Sequence, residues 1–202
     1  MADILSILPQ QLVFGLALGT VYGLIALGYT MVYGILFMIN FAHGEIFMIG
    51  AYLGWGVLTF LLNAQIAGLH AAWVVPLMLL QAMLGAGLLG VCLERFAYRP
   101  LYARGATRLG PLISAIGASI FLQNAVMLTQ GARMKVYMTS LLFPRAWRFE
   151  ILGVSISVLV IVMIAAAALM MWGLHELVQR TTLGRSIRAG AEDREMAAVV
   201  GV

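Results

Sequence analysis

The sequence predicts an all-α, polytopic membrane protein with about five transmembrane helices, and three observations carry that expectation. Of 202 residues, 63% are hydrophobic and 10% are charged, against about 45–50% and about 25% in an ordinary soluble domain. The mean hydropathy is +1.01. The charges are also segregated: between Asp3 and Glu94 the one charged side chain is Glu45, and 109–132 and 151–175 carry none. A soluble core of this size needs a polar shell that 12 basic and 8 acidic residues cannot supply. A soluble enzyme, a disordered chain and a nucleic-acid binder are thereby excluded. The basic balance, with a pI of about 9.6, suits positive loops on a membrane protein.

A span takes about 20 apolar residues to cross about 30 Å of hydrocarbon. The uncharged runs place spans near 11–31, 45–62, 72–93, 110–131 and 151–173, with a further short span or re-entrant turn near 32–44 left open. The N-terminal MADILSILPQQ lacks basic residues, carries Asp3 and shows no cleavage site, so the first run reads as a retained span and not a signal peptide. That span holds Gly15, Gly19 and Gly23 at four-residue spacing, and the second holds Gly50 and Gly54. Asn63, Gln65, Gly68 and His70 mark a short turn before the third, which carries Ala82, Ala86 and Gly90. The segment Arg95–Arg108, with four arginines and Pro100, reads as a loop. The fourth span carries Gly110, Ser114 and Ala118. Residues 132–150, with Arg133, Lys135, Arg145 and Arg148, read as a second basic loop. Membrane helices associate where small residues let backbones approach. Generic packing explains any one stripe, and four together point to a compact bundle.

Lys and Arg counts orient the chain. Segment 95–108 and the tail after Glu176 lie two spans apart and share eight arginines, which assigns them to the cytoplasm. Loop 132–150 then faces outward, and so does the N-terminus if there are five spans. Tyr52, Trp55, Trp73, Tyr98, Tyr102, Trp147 and Trp172 fall near span ends and suit interfacial aromatic belts. Cys92, the only cysteine, excludes an internal disulfide and reads as a small core residue.

Asn40-Phe41-Ala42-His43-Gly44-Glu45 is the one polar knot in the first ninety residues. A carboxylate at membrane depth faces protein or a water-filled cavity. Glu45 has three readings: an acid at the start of the second helix, part of a broken segment lining a translocation path together with Asn40 and His43, or a metal or proteolytic centre. The last is the weakest, because H-E-x-x-H is absent and His43, His70 and His175 are far apart in sequence. His43 and Glu45 point apart on a helix and lie on one side of an extended turn.

The stretch GTVYGLIALGYTMVYG at 19–34, followed by MINFAHGEIFMIGAY at 38–52, resembles the N-terminal signature of the branched-chain amino acid ABC transporter permeases, in particular their LivH-type subunit. ERFAYRPLY at 94–102, RLGPLISAIG at 108–117, TLGRSIRA at 182–189 and EDREMAAVVG at 192–201 continue the resemblance over nearly the whole chain. It implies one permease domain over 1–202, incomplete at its C-terminus, in a bacterial inner membrane. The implied partners are a second related permease, two ABC ATPase subunits, a periplasmic solute-binding protein and the lipid bilayer, with no nucleic acid. The implied solutes are leucine, isoleucine and valine; urea or short amides are the alternative within related permeases. Residues 180–202 resemble the cytoplasmic coupling loop, so Gly184, Arg188, Asp193, Ala197, Ala198 and Gly201 are the implied contacts to the ATPase. Met196, Val199 and Val200 give that segment an apolar helical face. It departs from the familiar Glu-Ala-Ala form, because Met196 stands between the acid and the alanines. Family members also continue past this loop, which raises a truncated, non-transporting membrane protein as a rival reading.

Independently of the resemblance, no G-x4-G-K-[ST] phosphate loop is present. The only lysine, Lys135, lacks a glycine-rich approach. The chain is expected to hold no cofactor and to be no enzyme, with ATP and Mg on the partner ATPases. An ion-coupled carrier, with Glu45 or His43 as coupling group, is the rival from another class.

Overall fold

The computed structural model describes residues 2–66, 68–105, 109–144, 147–151 and 154–192. The elements run α1 (Ala2–Leu36), α2 (His43–Asn63), α3 (Ala71–Leu93), a π-helical turn (Glu94–Tyr98), α4 (Arg99–Ala103), α5 (Leu109–Gln130), a 3-10 turn (Thr139–Leu141), β1 (Arg148–Ile151), β2 (Val154–Ser157), α6 (Val158–Arg180) and α7 (Thr182–Glu192). Among the described residues, five helical segments are long and apolar enough to cross a membrane: Ile7–Ile35, His43–Asn63, Ala71–Ala103, Leu109–Gln130 and Val158–Arg180. The chain is a polytopic α-helical membrane protein. It divides into two compact units, Met38–Leu142 and Met1–Phe37 with Phe143–Val202.

In the unit Met38–Leu142, α2 and α3 pack through the small residues of their facing stripes. A Cβ added to Gly50 would stand 3.5 Å from the Ala86 Cβ and 3.6 Å from the Ala82 carbonyl; one on Gly54 would stand 3.7 Å from the Met78 carbonyl. Leu58 and Val74 are fully buried. On α5 the buried residues are Pro111, Ala115 and Leu122, so its packed face lies one position around from Gly110, Ser114 and Ala118. The turn expected between Leu62 and Trp73 is present, between Asn63 and Ala71.

The expected loop at 95–108 is a correction. The helix passes through the π-helical turn and continues as α4 to Ala103. Pro100 stands in the first turn of α4, where a missing N–H is tolerated, and the π-helical turn absorbs the lost i→i−4 bond. Arg99 and Glu94 pair across it at 3.0 Å.

In the other unit, the expected fifth span at 151–173 is shifted. Ile151 ends β1, Val154–Ser157 form β2, and the helix runs Val158–Arg180. Val154-Ser155-Ile156-Ser157 alternates with period two, a strand pattern. Ser157 then caps α6, its side chain accepting from the Leu159 N–H at 3.2 Å. The hairpin is antiparallel, with Arg148 opposite Ser157. The Gln10 side chain of α1 joins it twice, donating to the Ser155 carbonyl at 3.0 Å and accepting from its N–H at 3.1 Å. A Cβ on Gly15, Gly19 or Gly23 would meet nothing within 4 Å among the described residues, so that stripe makes no close backbone approach there.

Candidate functional site

The connector between α1 and α2 opens at Phe37, whose φ of +53° ends α1. Residues Met38–Ala42 then form a hook in the unit Met38–Leu142. Asn40 is buried, and its Oδ1 accepts from the Ala42 N–H at 3.0 Å and from the Tyr98 hydroxyl at 2.8 Å. Two donors occupy both lone pairs of that oxygen. Four residues on, the Tyr102 hydroxyl donates to Met38 Sδ at 3.2 Å. Residues four apart share a helix face, so the π-helical turn and α4 present a two-tyrosine clamp. Asn40 is thus held closed against Tyr98. Both tyrosines, placed by sequence in interfacial belts, instead fasten the hook.

His43 is the first residue of α2 and Glu45 lies in its first turn. Glu45 sits where the helix dipole favours an acid, and its Oε1 accepts from Ser119 Oγ of α5 at 3.1 Å. His43 and Glu45 are both partly exposed. Among the described residues, no group of three His, Cys, Asp or Glu side chains could hold a metal ion.

The coupling candidates fall into two sets. Asp193, Ala197, Ala198 and Gly201, like Met196, Val199 and Val200, lie outside the described residues. Gly184 and Arg188 are on α7, at its corner with α6. Thr181 donates to the Leu177 carbonyl at 2.6 Å and accepts from the Gly184 N–H at 3.0 Å. A Cβ on Gly184 would run into the Leu177 and Val178 carbonyls. Arg188 Nη1 donates to that same Val178 carbonyl, as basic groups do at helix C-termini.

A further set escapes the sequence reading. Gly131 takes φ +79°, its N–H bonds the Met127 carbonyl at 3.0 Å, and the chain folds back from the end of α5 along α2. Trp55 Nε1 donates to the Val136 carbonyl at 3.3 Å. The Tyr137 hydroxyl donates to the Ala51 carbonyl at 2.5 Å, and Lys135 Nζ stands 4.9 Å over the Trp55 ring. Gly54 leaves room for this: a Cβ there would stand 3.3 Å from the Tyr137 hydroxyl. Segment 132–138 is therefore a strap on α2 and not a free loop. Trp55 is its anchor, not a belt residue at a span end. The one signal in the sequence is the alternation Met134-Lys135-Val136-Tyr137-Met138 around the only lysine.

Residues 11–202 match the family described as branched-chain amino acid transport system / permease component. The high-affinity branched-chain amino acid transport system permease protein BraD of Pseudomonas aeruginosa is 48% identical over 200 residues, covering 96% of this chain and 62% of its own length. The permease proteins LivH of Salmonella typhimurium and Escherichia coli are each 43% identical over 197 residues, with the same coverage. The chain thus spans less than two thirds of the length of these relatives. No solved structure matches it.

Proposed function

The chain belongs to the family of branched-chain amino acid transport permease components, and on that premise we propose that it is a membrane-spanning subunit of an ATP-driven importer for leucine, isoleucine and valine. The observation that carries this reading is the 48% identity to BraD, sustained over nearly the whole chain. In this reading the protein sits in the bacterial inner membrane beside a second, related permease. Two ABC ATPases hold ATP and Mg, and a periplasmic binding protein delivers the solute. The chain is a transport subunit and not an enzyme. His43 and Glu45 are partly exposed on the first turn of α2 and are the candidates to line the path; Asn40 fixes the hook that sets their position. The α6–α7 corner presents the segment that engages the ATPase, with Gly184 and Arg188 holding its angle and Asp193, Ala197, Ala198 and Gly201 in contact.

The test uses the complete transporter in cells. Leucine uptake is expected to be competed by isoleucine and valine and not by urea. Changing Ala197 or Gly201 to Trp is expected to abolish uptake while the protein still inserts. Competition by urea alone would move the substrate to the amide class. Unaltered uptake in both Trp variants would remove the coupling role.

A further inference from the structure

We infer that the strap at 132–138 is a re-entrant element at membrane depth, and that Lys135 forms with α2 a subsite for a small carboxylate bearing an aliphatic side chain. The substrate class rests on the proposed import function; the position of the strap does not.

The depth follows from the register of the strap on α2. Trp55 lies eight residues from the end of α2 at Asn63, and Ala51 eight from its start at His43. At 1.5 Å per residue each is about 12 Å from the nearer helix end. Helix α2 has 21 residues, the length of one crossing. The strap meets Trp55 through Lys135 and Val136, then Ala51 through Tyr137. It therefore runs beside the middle third of the helix, from Trp55 on one side of the midpoint to Ala51 on the other. Non-helical backbone at such depth is tolerated only where protein covers it or where it lines water.

The side chains of the strap sort by this geometry. Met134, Val136 and Met138 are exposed, while Lys135 and Tyr137 turn toward α2. Between strap and helix lies a cavity of about 250 Å³, bordered by Met48, Tyr52, Trp55, Met134, Lys135 and Tyr137. Its chemistry is one ammonium among thioether and aromatic walls. The two ion pairs among the described residues, Glu94–Arg99 and Glu176–Arg180, leave Lys135 out. An intramembrane cation without a carboxylate marks a path for a charged solute. An ammonium offers three donors to a carboxylate, and the walls suit a branched aliphatic group. The larger groove between α2, α3 and α5, about 690 Å³, has no charged side chain in its lining and offers a carboxylate neutral donors but no counter-charge.

The experiment uses the complete transporter in proteoliposomes, with Cys92→Ala as background and Lys135→Cys added. Leucine uptake at sub-saturating solute is expected to fall about ten- to hundred-fold, the scale of one charge-assisted bond. Aminoethyl thiosulfonate, which restores an ammonium at this position, is expected to recover uptake; the sulfonatoethyl reagent is not. Leucine is expected to slow both modifications. Lys135→Arg serves as the charge-conserving control and is expected to retain most uptake. Three results would each overturn the inference: unchanged uptake in the Lys135→Cys variant, equal effects of the two reagents, or failure of these water-soluble reagents to label that variant. Absence of leucine uptake by the unsubstituted transporter would instead count against the import function, and labelling of the Lys135→Cys variant would still test the position of the strap.

Discussion

At the scale of single residues, Asn40 shows how a polar group is made tolerable inside an apolar protein. Its oxygen is occupied by the Ala42 amide and the Tyr98 hydroxyl, so little of its desolvation goes uncompensated. Removing one partner is worse than removing both. Asn40→Ala leaves a buried tyrosine hydroxyl without its acceptor and is expected to cost about 1–3 kcal/mol. Tyr98→Phe is expected to cost about 1 kcal/mol, and the double variant less than the sum of the two. Thermal unfolding in detergent measures this, and strict additivity would show that the two groups do not interact. The sequence marks Asn40, His43 and Glu45 as one polar knot because charge and amide stand out in an apolar run. It cannot show that Asn40 faces Tyr98, since 58 residues separate the two and only the folding of α3 back on α2 unites them.

At the scale of elements, spans are legible where hydrophobic length is the whole signal, as in α2, α3 and α5. They are not legible where backbone chemistry intervenes. The run after Glu150 is uncharged through His175, and mean hydropathy does not separate the β-branched, serine-alternating hairpin from the helix it leads into. The arginines of 95–104 read as a loop when charge is weighed above helix propensity, while a π-helical turn before Pro100 carries the helix onward. The strap is hidden because its pairing with α2 rests on one indole, one phenol and one ammonium, and the short alternation at 134–138 does not say which helix it lies on. The α6–α7 corner makes a direct prediction. Gly184→Ala places a methyl against two carbonyls of α6, and overpacking of that kind costs about 1–3 kcal/mol. The corner is expected to open, lowering the thermal midpoint and the ATP-dependent uptake together. Normal uptake and stability in Gly184→Ala would mean that the corner has no such tight contact.

At the scale of the whole molecule, the composition sets the class, and the family supports the role proposed above. Among the described residues five helices are long and apolar enough to cross, and they fall in two compact units. The sequence holds no phosphate loop, and in the proposed role ATP hydrolysis belongs to partner subunits. The small-residue stripes divide between uses. Gly50 and Gly54 are used within the chain, against α3, whereas a Cβ on Gly15, Gly19 or Gly23 would meet nothing within 4 Å among the described residues. Energy coupling decides whether that role is right. The most direct measurement is the uptake of radiolabelled leucine into proteoliposomes holding the complete transporter, with ATP inside or withheld, and with this chain present or left out. Uptake that requires both ATP and the chain is the predicted result. Leucine uptake that proceeds without ATP, driven by the chain alone, would contradict it.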